Sequence, residues 1–334
     1  MAHRRRHYAF GHARAATTLA LWLVLGNAAA LVPGCNKNSP EKKSPDENAW
    51  RVIERIPLAN EYEIVISFDA DRSFKQLDIR RQGQIEWRSS EYSDEPGYNH
   101  IMLPAISGAE PLLTELDQDL TVDGIPNVVV REYTGGGHCC TIDHIFSLNP
   151  DGLIGYQDIH YGHASYIGQH FVPDDRGSLL DIMTEDWTFA YWKMSFAESP
   201  APVVRLRHRG SEQCGRLRWA FANPKETISP ERWEVLQADA RRRNTMPGGP
   251  TGTGSLPGLL SNTLDLIYTG NATAAQSYLD LAFAGYENAR LGFLVELGLQ
   301  LKTSRYIDLI LELNEVDTIG ELLAGDDGRF GRWD

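Results

Sequence analysis

The chain has 334 residues and four cysteines, with 45 acidic against 32 basic side chains and a formal net charge of −13. An acidic surface repels phosphate backbones, and the single dense basic run beyond residue 34 is Arg241-Arg242-Arg243, which excludes nucleic acid as a partner. That run closes a predicted helix, where cations match the helix dipole and stand in solvent.

Residues 1–34 carry Arg4, Arg5, Arg6 and Arg14 and no acid, followed by an apolar run from Ala15 to Leu31 and then Pro33-Gly34-Cys35. A basic start, a short apolar middle and small residues before a cut form an export signal. The ending resembles the lipobox of bacterial lipoproteins, which implies lipidation at Cys35 and a membrane partner reached through that anchor. With Asn36 following, the resemblance implies an outer-membrane or periplasm-facing lipoprotein, the alternative being a secreted protein. Residues 35–49 are Lys-, Pro-, Ser- and Asn-rich and read as a solvated tether. With the leader set aside, 28 basic residues face 45 acidic ones, so the mature chain carries a net −17.

Residues 50–222 read as a β-rich domain. Period-two runs at 61–69, 74–81, 126–133, 141–148 and 202–208 are separated by turn-formers such as Asn149-Pro150-Asp151-Gly152. An acidic loop feeding a strand recurs faintly at FDADRS (68–73), at Asp123-Gly124 and at Asp174–Gly177, in the manner of propeller blades. Three copies do not close a propeller, which needs at least ~4 blades, so a sandwich or open hairpins are expected. Residues 223–258 read as a helix opened by Ser229-Pro230 and followed by a Gly/Pro-rich linker. Residues 259–325 read as a helical bundle of four amphipathic segments, punctuated by Gly270 and Gly285. The fold class is therefore α+β: an antiparallel β-rich domain, as a sandwich or propeller-blade-like hairpins, followed by a small C-terminal helical domain.

The chemistry concentrates in DLTVDGIPNVVVREYTGGGHCC (119–140). It is similar to the loop-and-strand of FG-GAP and VCBS-type repeats. It is closer still to uncharacterised secreted bacterial proteins with a Y-[ST]-G-G-x-H-C-C motif, an acidic segment like Asp174–Trp187 and a tail like Asp265–Asn271. The FG-GAP resemblance implies a Ca2+ loop and ligand binding, with Asp119, Thr121, Asp123 and Asn127 as oxygen donors around Gly124. The alternative for the same residues is a plain turn shaped by Asp123 and Gly124.

Two thiols at successive strand positions face opposite ways, so in an oxidising compartment either Cys139 or Cys140 pairs with Cys214 and the other is buried. The rival reading is a soft-metal site for copper or zinc built from His138, Cys139, Cys140 and His144. His160, His163 and His170 form a third cluster. It is read as exposed hairpin histidines, with a metal-dependent hydrolase using His160 and His163 as the enzymatic rival. Trp187, Phe189, Tyr191, Trp192 and Phe196 crowd one predicted strand region and read as β core, or, where exposed, as a surface for a protein or glycan ligand. The sum is an exported envelope protein with a binding or structural role and no identifiable reaction.

Overall fold

A computed structural model describes residues 50–93, 100–107, 112–113, 115–134, 141–155, 158–162, 170–174, 180–211, 217–222 and 225–324. All of them fall within one compact unit, Ser44–Asp334. The architecture is α+β, with antiparallel sheets first and six helices in the C-terminal part.

The first sheet is a four-stranded meander of β1 (Trp50–Pro57), β2 (Tyr62–Asp69), β3 (Phe74–Arg81) and β4 (Gln84–Arg88). The second runs β5 (His100–Met102), β6 (Asn127–Tyr133), β7 (Thr141–Asn149) and β8 (Gly152–Gly155), with β9 (Ile159–Gly162) pairing the far end of β7. A short helix α1, Pro104–Ser107, follows β5. The third sheet comprises β10 (Phe171–Pro173), β11 (Leu180–Glu185), β12 (Val203–Ser211) and β13 (Leu217–Phe221). The sheets are three successive antiparallel units, and in β6 and β7 neighbouring residues serve different cores. Val128, Val130, Phe146 and Leu148 join Tyr62, Ile64, Leu77 and Ile79 in one core between the first and second sheets. Val129, Ile145, Ile159 and Tyr161, from the alternate positions, join Ile182, Val204, Leu206 and the helices in a second core.

Each sheet also buries aspartate held by arginine: Asp78 by Arg80 and Arg88 and Asp69 by Arg72 in the first, Asp143 by Arg131 in the second, and Asp181 by Arg205 and Arg207 in the third. A carboxylate taken out of water persists only where charge-assisted hydrogen bonds replace its hydration. The pairs that cross strands therefore fix register within each sheet.

The helices are α2 (Pro230–Asn244), α3 (Leu256–Tyr268), α4 (Ala272–Ala282), α5 (Glu287–Leu301), α6 (Ile307–Leu313) and α7 (Ile319–Ala324). Ser229 caps α2 by accepting from the Arg232 amide at 3.2 Å, with Pro230 at the first helical position. Gly270, at φ +76°, ends α3 in a Schellman turn: its amide bonds Ile267 O and the Asn271 amide bonds Leu266 O. The segment expected as a linker is folded as consecutive turns, with the amides of Gly249, Gly252 and Ser255 reaching Met246, Gly249 and Gly252. Arg243 corrects the expectation of a solvated basic run, because it is buried while Arg241 and Arg242 are exposed. Its guanidinium bonds Asp239, Tyr278 Oη and Ser255 O, so it locks α2 to α4 and to the turns before α3.

The helices share their core with the third sheet, and a buried polar hub joins the two. The Asp186 carboxylate accepts from Tyr268 Oη and Ser304 Oγ on the helical side and from the Thr188 amide and hydroxyl on its own. Burial, then the Asp186 charge, holds the Tyr268 hydroxyl well above its ordinary pKa, so it stays a donor.

Candidate functional site

The expected calcium loop is present as a loop, and its oxygens serve its own backbone. Asp119 accepts from the Thr121 amide at 3.2 Å and the Gly124 amide at 2.8 Å, and Asp123 accepts from the Ile125 amide at 2.9 Å. Asn127, buried at the start of β6, accepts from the Leu120 amide at 2.8 Å. Gly124 at φ +84° and Val122 at φ +55° make the reversal. This is the Asx-turn chemistry of the alternative reading. Among the described residues no three His, Cys, Asp or Glu side chains converge as a metal-ligand group.

His138, Cys139 and Cys140 lie outside the described residues, as do Cys35, Cys214 and His163. His144, the remaining member of the soft-metal set, is held by carboxylates. Its Nδ1 lies 2.9 Å from Asp158 and its Nε2 3.1 Å from Glu132. Strand alternation builds the arrangement. Glu132 follows Val128 and Val130 along one face of β6, and His144 precedes Phe146 and Leu148 on the same face of β7. The apolar end of that face packs under the first sheet. Its polar end meets the rim of that sheet, where the Trp87 ring lies 5.4 Å from the imidazole and Ser90 Oγ donates to Glu132 at 2.5 Å.

The electrostatics follow from this enclosure. Burial works to lower the His144 pKa, but the hydrogen bonds and charges of Asp158 and Glu132 outweigh it and raise the value from 6.5 to about 9. The bond from His144 is the main cause that lowers Glu132. Asp158 is pushed up by burial but pulled down more by His144, with His160 and Arg305 adding to the pull. At neutral pH the cluster is an imidazolium between two carboxylates, with no lone pair left on either nitrogen to bind a metal or take a proton.

Of the histidine cluster, His160 and His170 are among the described residues, and neither is exposed. His160 is half-buried, and burial and the Arg305 charge hold its pKa below the ordinary value. His170 is buried, its ring stacked on Tyr161 at 3.7 Å and 10°. Tyr161 in turn donates to Asp143 under the Arg131 guanidinium, on the face of β9 opposite His160. Glu132 and Asp158 did not stand out in the sequence. The signal for Glu132 is its parity with Val128 and Val130, which puts it diagonal to His144 once the hairpin register is known.

The aromatic cluster is likewise not on a strand. It lies after β11, in two 3-10 turns, Trp187–Phe189 and Phe196–Glu198, and in the loop between them that carries Tyr191 and Trp192. Phe189 alone of the five is fully buried. Trp187 and Phe196 stack at 5.0 Å and 8°, Tyr191 lies 5.3 Å from Phe196, and Tyr191 is 60% exposed. No family model, curated protein or solved structure matches this chain.

Proposed function

We propose that the chain is an exported, lipid-anchored envelope protein whose folded part is a binding or structural module. Its leader, Cys35 and polar tether support the export half of the reading. The observation that carries the other half is the commitment of both His144 nitrogens to Asp158 and Glu132. An imidazolium held that way is a cross-strand brace, unable to act as base or ligand while the clamp stands. The self-capped Asp119 loop supports a turn over a calcium site, so calcium is expected to leave the melting temperature unchanged, and a rise at millimolar calcium would restore the metal reading.

Metabolic labelling with a fatty-acid precursor tests the anchor. The wild-type protein takes up label and sediments with membranes, and Cys35→Ala loses both properties. A full-length, uncleaved, unlabelled chain in the cytosol would end the proposal. Free-thiol counting with elemental analysis addresses Cys139, Cys140 and Cys214: one free thiol and no bound metal fits the staple, whereas stoichiometric copper or zinc fits the metal-handling rival.

A further inference from the structure

We infer that the loop 187–199 is a platform for a neutral glycan, with Tyr191 and Phe196 as its stacking surface and Ser195 and Glu198 as its hydroxyl-recognising rim. This deepens the binding-module reading above and rests on it.

Preorganisation is the first support. Trp187 is pinned from below by Gly162, where an added Cβ would lie 2.0 Å from the indole, and Phe196 stacks on it. Rings fixed in this way lose little freedom when a ligand covers them.

Backbone strain is the second. Tyr191 at φ +60° and Lys193 at φ +62° are non-glycine residues in the left-handed region, two within three positions, on a surface loop. Such conformations persist only where the surroundings enforce them. Here the Tyr191 amide donates to Ser199 Oγ at 3.0 Å, and Ser199 Oγ donates to Ser195 O at 2.9 Å. The result is to hold the ring of Tyr191 out in solvent, whereas Met194 packs against the core.

Charge selects the ligand class. Lys193 is paired with Glu296 at 2.5 Å and lies over the Trp192 ring at 5.6 Å, so it offers an anion little. Glu198 is exposed; its Oε2 accepts from Ser195 Oγ at 2.7 Å and from the Ser195 amide as a capping box, which leaves Oε1 to repel anions and accept from hydroxyl groups. The exposed Tyr191 ring beside the half-buried Phe196, with hydroxyl and carboxylate neighbours, suits the C–H face and equatorial hydroxyls of an uncharged sugar.

The test titrates the purified full chain in mild detergent with cellotetraose and with tetra-N-acetylchitotetraose, reading tryptophan fluorescence and binding heat. Saturable binding is expected for at least one of them. Tyr191→Ala is expected to weaken it about tenfold or more while keeping the melting temperature, and Tyr191→Phe to stay within about threefold. Glu198→Ala is expected to weaken it too. Absence of binding by both sugars, wild-type affinity in Tyr191→Ala, or binding confined to anionic lipid vesicles or to trilysine would overturn the assignment. Lipid labelling reads out export independently, so failure here leaves the anchored-protein reading standing, and failure there does not touch the titration.

Discussion

At the scale of single residues, His144 links a strand pattern to a pH response. Its folded pKa is raised from 6.5 to about 9, so the folded chain holds the proton more tightly than the unfolded one. The stabilisation is complete below pH 6.5 and is lost as pH rises through about 9, on the order of 2 kcal/mol. Glu132 and Asp158, both lowered from their ordinary 4.5 and 3.8, contribute above those values and fade as acid protonates the folded pair. Urea melts from pH 5 to 10 are expected to show the midpoint falling between 6.5 and 9, and His144→Asn is expected to flatten that slope. An unchanged slope would remove the clamp from the account. Gly162 gives a second residue-level expectation. It sits at φ +56° with no room above it, so Gly162→Ala combines strain with a clash against Trp187 and is expected to cost about 3 kcal/mol. A denaturant midpoint close to wild type would show that the Trp187 stack yields easily.

At the scale of elements, the hairpins and helices were legible because they rest on local rules. Period-two runs gave β2, β3, β6, β7 and β12, and Ser229-Pro230 and Gly270 marked where α2 starts and α3 stops. Residues 245–255 show where local rules run out. Their glycines and prolines announce turns but do not say whether the turns pack, and here Arg243 reaches across to bind Ser255 O. The aromatic segment was misplaced on a strand for a related reason, since ring content fits a strand and a packed 3-10 loop equally well. The Arg243 hub belongs to this scale. Arg243→Met leaves the Asp239 carboxylate of the same helix without its main partner and Tyr278 Oη of α4 without its guanidinium donor, and is expected to destabilise the chain by about 3 kcal/mol. Arg242→Met, at an exposed neighbour, is expected to change stability by less than about 0.5 kcal/mol. Equal effects would mean that burial at Arg243 does not matter.

For the whole molecule, the question is whether sheets and helices unfold together. A shared core and the Asp186 hub, where Tyr268 and Ser304 converge, support one cooperative transition. Asp186→Ala is expected to lower the calorimetric midpoint by the loss of about 3 kcal/mol and to split the endotherm, because two buried hydroxyls lose their acceptor. A single sharp transition near the wild-type midpoint would place the coupling in apolar packing alone. The sequence by itself determined the basic-then-apolar pattern of residues 1–34, the polar composition of residues 35–49, the strand and helix periods and the α+β class, since each depends on residues near one another along the chain. Only the tertiary structure decided that His144 meets Glu132 and Asp158, that Asp186 joins strand to helix, and that Tyr191 is exposed while Phe189 is not. Those facts depend on register and on layer packing between residues up to 118 positions apart, and pairings at that distance leave no trace in local periodicity.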